Sequence, residues 1–354
     1  MKLLLWMLAF VPMAIGADLL NGPPVAVFAL SALAIVPLSG FLGRATEEMA
    51  AFTGPTLGGL LNATLGNLAE LIIAILALRA GLVDLVKASI TGSILGNLLL
   101  VLGAAQLAGG LRHKSQRFSA ALAGLSISLL VVAVIGLVIP ALFHATHTDP
   151  ARELTRRVSV GVAALLIAGY ALSLVYSMGT HRSVFGEARD VAPAAHDENS
   201  GPGWSLARSA VVLVLSAAFV GWLSELLVGS TEETIRHLGL SEVFVGLIVV
   251  PIIGNAAEHS SAILMALKNR MDLSVSIAVG SSAQVALLIA PVLVFVGLAL
   301  GQPMDLAFSA FEVVSIALAV AVATTVVRDA ESNWLEGAFL LLVYGMLAVS
   351  FFYF

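Results

Sequence analysis

Two glutamates carry the chemistry open to this chain. Glu70 stands in an apolar run that begins Gly66-Asn67-Leu68-Ala69-Glu70, and Glu258 in one that begins Gly254-Asn255-Ala256-Ala257-Glu258. Each run opens a longer stretch, 66–98 and 254–286, and an ungapped alignment of the two gives 11 identities in 33 positions. Among them are Gly66/Gly254, Asn67/Asn255, Glu70/Glu258, Asp84/Asp272, Gly92/Gly280 and Ser93/Ser281. An alphabet rich in Ala, Leu and Ile makes apolar matches cheap. It does not produce paired Gly, Asn, Glu and Ser at fixed spacing, so the stretches read as an internal repeat.

A charged side chain in the middle of an apolar span costs roughly 2.5–3.5 kcal/mol, and such residues usually mark an ion or proton pathway. Asn67 and Asn255 precede their glutamates by three residues, which places amide and carboxylate on one helix face. Gly66 and Gly254 permit irregular backbone there, and Pro251 removes a helical donor just upstream. A break at these points would free carbonyl oxygens as ligands. The second segment of each copy adds Thr91, Ser93 and Asn97, or Ser281, Ser282 and Gln284. Carboxylates, amides and hydroxyls are the oxygen set that a hard divalent cation prefers. Two carboxylates neutralise one such ion, and each can instead be neutralised by a proton. One site with two mutually exclusive occupants is the least that cation/proton exchange requires.

Blander roles compete at several positions. A structural glutamate would need a buried base, but no Lys or Arg falls inside the four spans of the repeats except near their ends. Asn67 and Asn255 could serve as helix-packing glue, and the Gly-Ser pairs at Ser93 and Ser281 as close packing. His259 could relay protons or tune Glu258, or simply pack, since Leu71 stands at its place in the first copy. Glu47, Glu48, Glu232 and Glu233 could gather cations at the mouths of a pathway, or be solvated charges at span ends.

The elements that must position these groups are membrane spans. The chain is 59% hydrophobic and 11% charged, with a mean hydropathy of +1.03. A soluble domain has about 25% charged residues, so this composition reads as a polytopic protein whose solvent is the lipid bilayer. With no Cys there are no disulfides, thiolate nucleophiles or Cys-held metals. A net charge of −5 is too small to imply a nucleic-acid partner, and no basic tract is present. Nothing calls for a resident cofactor.

Apolar runs predict eleven spans, at about 3–20, 25–43, 56–78, 86–108, 118–142, 158–178, 207–229, 243–267, 273–300, 306–327 and 335–353. The expected fold is an all-α integral membrane protein of one plus five plus five helices. Residues 1–22 form the extra span, which also fits a signal peptide. The halves are 23–178 and 207–354, joined by an acidic linker at 179–206 that contains Asp197 and Glu198. Polar patches are expected at 44–48 and 230–233, where Ala45-Thr46-Glu47-Glu48 is echoed by Ser230-Thr231-Glu232-Glu233.

Lys and Arg number 11 on the N-terminal side of this topology and 6 on the other. The positive-inside bias puts the N-terminus and the linker in the cytoplasm and the C-terminus outside. Glu70 falls in the third span and Glu258 in the eighth. An odd number of spans separates them, so the copies cross in opposite directions, as inverted-repeat transporters do, with the ion site near the midplane.

GNLAE with GSILGN in the first half, and GNAAEH with GSSAQ in the second, resemble the two α-repeats of the Ca²⁺/H⁺ exchanger family of the cation/Ca²⁺ antiporter superfamily. The flanks GRATEEMAAFTGPTLGGLLNATLGN and LSEVFVGLIVVPIIGNAAEH are similar to that family too, and the likeness covers nearly the whole chain. The Pro-Glu-containing signature of sodium/calcium exchanger repeats is not found. The resemblance implies alternating access to a midplane site where Glu70 and Glu258 bind Ca²⁺, as substrate, or protons in turn. It implies that Asn67, Asn255, Ser93, Ser281, Asn97 and Gln284 line that site. In the ungapped alignment Gln284 faces Gly96 rather than Asn97, so the last two are not strict equivalents. A sodium-coupled or Mn²⁺-preferring exchanger of the same superfamily, and a passive cation channel, are the alternatives.

Overall fold

The computed structural model describes residues 2–149, 152–181 and 203–353, with side chains for all of these except 2, 3, 54–57, 59, 60, 62 and 63. Most of the expected linker, with Asp197 and Glu198, lies outside the described residues. The described chain is almost entirely helical, because backbone groups in lipid must be satisfied within their own segment.

The first span is two short helices, α1 (Lys2–Met7) and α2 (Phe10–Leu19). Their break begins at Leu8, four residues before Pro12, whose ring displaces the carbonyl at that spacing. Both pack on α3 (Pro24–Leu65), with Ala14 fully buried. The polar patch expected to end the second span is instead helical, because α3 continues through Arg44–Glu48. The chain reverses further on. A Cβ on Gly58 would collide with the carbonyl of Ala50, eight residues earlier, although a straight helix separates such residues by about 12 Å.

The first half continues through α4 (Leu68–Arg79), α5 (Val83–Leu95), a π-helical turn at Gly96–Val101, α6 (Leu102–His113), α7 (Ala120–Thr146) and α8 (Glu153–Val175). The second half opens with α9 (Leu206–Leu238), which packs along α3 and keeps Ser230–Glu233 helical as well. There follow α10 (Glu242–Phe244), a π turn at Val245–Val249, α11 (Val250–Gly254), α12 (Ala256–Leu267), α13 (Met271–Gln284), a π turn at Val285–Ile289 and α14 (Ala290–Leu300). The chain closes with α15 (Ala310–Val327) and α16 (Trp334–Phe352).

Among the described residues, eight helical stretches are long and apolar enough to cross a bilayer, or nine if the pair bent by 63° between Gly254 and Ala256 counts as one span. The expected eleven exceed this at α1–α2 and at α4. At the first a break divides the run into two short helices, and at the second the break at Asn67 leaves α4 with 12 residues, too short to qualify alone. One departure from all-α is a two-residue antiparallel pairing, β1 (Gln116–Arg117) with β2 (Glu331–Ser332).

Helix α5 is the centre of the packing and is buried at every residue from Leu85 to Leu95. It crosses the Val245–Val249 turn backbone to backbone. A Cβ on Gly92 would overlap the carbonyl of Leu247, and one on Gly246 would come within 2.7 Å of both Ala88 Cβ and the Leu85 carbonyl. Small residues permit such approach between membrane helices. Leu247 precedes Pro251 by four residues, so its carbonyl has no helical donor there. The repeat-related position, Gly280 on α13, has nothing within 4 Å of a built Cβ among the described residues.

Lys87, expected at a span end, sits one turn into α5 and is 6% exposed. It is ion-paired with Asp305, in the irregular segment before α15, and not with Glu70 or Glu258.

Candidate ion-binding site

Both helix breaks fall on the Gly-Asn pairs. Asn67 (φ −94°, ψ 21°) separates α3 from α4, and Asn255 (φ −103°, ψ 11°) separates α11 from α12. These angles lie near the sparsely allowed bridge region. The expected release of carbonyl ligands does not extend to the asparagines themselves. The Asn67 carbonyl accepts from the Leu71 N–H at 3.0 Å, and that of Asn255 from the His259 N–H at 2.9 Å. What each break does is start a new helix just ahead of its glutamate. Glu70 and Glu258 stand in the first turns of α4 and α12, where aligned peptide dipoles favour negative charge.

Each glutamate meets the serine 23 residues further on. Ser93 Oγ donates to Glu70 Oε1, and Ser281 Oγ donates to Glu258 Oε2 at 2.7 Å. The asparagines then cross between the copies. The Asn255 amide donates to Ser93 Oγ at 3.3 Å. The Asn67 amide oxygen lies 3.2 Å from Ser281 Oγ, and its Nδ2 donates to Gln284 Oε1 at 2.9 Å. The asparagine of each repeat therefore engages the serine that holds the other repeat's glutamate. Gly254 allows this closeness, since a Cβ there would already stand 3.7 Å from Glu70 Cα and Cβ. Gly66 lies half-buried at the other break.

Glu70 Oε2 and Asn97 Nδ2 are among the buried polar atoms that remain without partners among the described residues. A buried unsatisfied polar group costs about 1–3 kcal/mol, more if charged, so this carboxylate calls for a proton or a cation. Asn97 belongs to the Gly96–Val101 π turn, and Gln284 immediately precedes the turn at Val285–Ile289. π turns recur at functional sites, and these two explain why the amides need not align residue for residue. Glu70 is 3% exposed, whereas Glu258 and His259 are half-buried, so the two sides of the site differ in access. The His259 ring makes no hydrogen bond among the described residues.

Other candidates lie apart. Glu48 is buried, 3.7 Å from Arg44 Nε, and accepts the Trp204 N–H at 3.1 Å. The Trp204 ring is flanked by the guanidinium groups of Arg44 and Arg208, at 4.7 and 4.9 Å. Glu48 thus ties α3, near the start of the first half, to the end of the linker just before α9. Glu47, Glu232 and Glu233 are exposed. Ser282 donates to the Ala278 carbonyl at 3.0 Å, and Thr91 donates to Glu312 at 3.1 Å; neither reaches the glutamates. Sequence reasoning passed over Glu312, although Ser309 three residues before it is a capping-box pattern. It also missed the Lys87–Asp305 pair, which has no local signal, its members being 218 residues apart.

A model of the family described as sodium/calcium exchanger protein matches residues 23–179 and 208–353. The chain is 46% identical to a Ca²⁺/H⁺ antiporter of Synechocystis, over 99% of this chain and 97% of that protein. It is 40% identical to the Ca²⁺/H⁺ antiporter ChaA of Bacillus subtilis, over 97% of each. The solved structure of native YfkE superposes with a TM-score of 0.85 at 36% identity, covering 99% of this chain and 100% of that one.

Proposed function

The chain belongs to the sodium/calcium exchanger protein family, on its Ca²⁺/H⁺ exchanger branch, and from that premise we infer that it exchanges Ca²⁺ for H⁺ across a membrane, with Glu70 and Glu258 holding either ion in turn. The observation that carries this reading is the pair of first-turn glutamates, each on a serine hydroxyl and linked across the repeats by Asn67 and Asn255. Ca²⁺ takes six to eight oxygens. The two carboxylates, the side-chain oxygens of Asn67, Asn255, Ser93 and Ser281, and the amide oxygens of Asn97 and Gln284 supply that number. When Ca²⁺ leaves, protons neutralise the same carboxylates, so an emptied site crosses the low-dielectric core without bare charge. The work is secondary transport, and no covalent step is assigned to any residue.

Residues 23–178 and 207–354 are assigned to the two halves, 1–22 to the extra N-terminal element and 179–206 to the linker. The family match, interrupted between 179 and 208, supports that division. The excess of Lys and Arg on the N-terminal side supports a cytoplasmic N-terminus and linker and an outside C-terminus, and the similarity to antiporters of Synechocystis and Bacillus subtilis supports residence in a prokaryotic cytoplasmic membrane.

The test is counterflow in sealed proteoliposomes. With Na⁺ absent and voltage clamped, an inward Ca²⁺ gradient is expected to drive protons out, read by an internal pH-sensitive dye. Ca²⁺ entry without proton movement would mean a channel, and entry only with Na⁺ inside would mean sodium coupling. The pH dependence of binding follows from the shared oxygens. Lowering pH fills the carboxylates with protons and is expected to weaken Ca²⁺ binding progressively, by up to about tenfold per pH unit for each proton displaced. Isothermal titration with Ca²⁺ at a series of pH values checks this, and a flat profile contradicts a shared site.

A further inference from the structure

Helix α5 presents two faces to two different carboxylates. Ser93 turns to Glu70, and Thr91, two residues and so about 200° around the helix, turns to Glu312. Lys87 lies one turn before Thr91 on the same face. Its ammonium pairs with Asp305 and donates to the Ala307 carbonyl at 3.0 Å. Asp305 also accepts the Ala307 N–H at 3.0 Å and lies 3.4 Å from Arg152 Nη1. Lys87, Thr91, Asp305 and Glu312 are all between 0% and 7% exposed.

Glu312 does not need Thr91 to cap its own helix. Its Oε2 takes both the N–H and the hydroxyl of Ser309, at 3.0 and 2.8 Å, while the Ser309 hydroxyl receives the Glu312 N–H. The cap is complete on one carboxylate oxygen, and the other reaches across to α5. The second repeat has no such cluster. Val275 and Val279 stand where Lys87 and Thr91 stand in the first. There α13 is held at its first turn by Asp272, which accepts the Ser119 N–H at 2.5 Å.

Buried ion pairs are a poor source of stability, and their best-attested service is to fix register. A rotation of α5 by one residue, about 100°, would swing Ser93 off Glu70. We propose that Lys87, Asp305, Thr91 and Glu312 are positioning residues that lock the rotation and height of α5, so that the Ser93 hydroxyl meets Glu70, and thereby set Ca²⁺ affinity at that carboxylate. This deepens the exchange reading and rests on it.

The full chain is purified, and Ca²⁺ binding in detergent is read beside transport in proteoliposomes. Thr91→Val keeps the side-chain shape and removes the donor. It is expected to raise the half-saturating Ca²⁺ about tenfold. Thr91→Ser, which keeps the hydroxyl, is expected to stay within about twofold of the unaltered protein. Asp305→Asn, which weakens the other tie, is expected to move affinity in the direction of Thr91→Val. Thr91→Val with unchanged affinity overturns the proposal. So does a loss confined to yield or melting temperature. Weaker binding in Thr91→Val, in a protein whose unaltered form moves no protons, would uphold the positioning role and sink the exchange reading instead.

Discussion

Glu70→Gln and Glu258→Gln are each expected to abolish exchange while leaving the fold intact. Glutamine keeps the shape of the side chain and an oxygen for the serine hydroxyl, so the contacts from Ser93 or Ser281 survive. On the exchange reading, what is lost is one of the two negative charges that would face a divalent ion. Removing one partner of a buried charge pair costs about 3–5 kcal/mol, which is roughly 100- to 1000-fold or more in affinity. It also removes a proton-carrying group, so neither half of the cycle can run. Proteoliposome counterflow and Ca²⁺ titration measure both losses, and an unchanged size-exclusion profile excludes misfolding. Retained exchange in either variant would remove that glutamate from the site.

The second large effect concerns the two repeat-related glycines, which are expected to fail in different ways. A Cβ on Gly92 would overlap the Leu247 carbonyl, a backbone atom that cannot step aside. Gly92→Val should therefore cost stability at the upper end of the 1–3 kcal/mol typical of overpacking, or more. It should appear as poor yield and a lowered melting temperature. Gly280→Val meets nothing within 4 Å among the described residues and should fold normally. Alternating access in an inverted repeat exchanges the packing of the two halves, so the crossing open at Gly280 must close when the one at Gly92 opens. Gly280→Val is accordingly expected to bind Ca²⁺ but to slow exchange at least about tenfold, since even a modest overpacking cost of about 1.4 kcal/mol is a factor of ten. Normal turnover in that variant would mean that the Gly280 crossing never closes.

The access difference between the glutamates agrees with this packing difference. Glu70, on α4, is sealed, and Glu258, on α12, is half-buried. The two copies carry nearly the same groups but stand in different surroundings in this one conformation. Interchange of those surroundings is what moves an ion from one side to the other.

Much of this protein is determined by its sequence alone. Hydropathy decides a membrane solvent, because a bilayer crossing needs a local run of apolar residues. The paired Gly-Asn-x-x-Glu segments and an odd number of spans between them decide an inverted repeat. The helix breaks were also legible, since glycine beside asparagine weakens a helix wherever it stands, and both breaks fell there. Tertiary structure alone decided which groups meet. Asn255 reaches Ser93 and Asn67 reaches Gln284 across 162 and 217 residues, and Lys87 finds Asp305 across 218. It turned Thr91 away from the site and drew Glu48 into a clamp on Trp204. It also made Gly92 and Gly280, identical by sequence, one closed and one open. The reason is physical. Local spacing fixes which face of a helix a residue occupies, but the helix that the face meets depends on the packing of the whole chain, and in an alternating transporter that packing has two solutions.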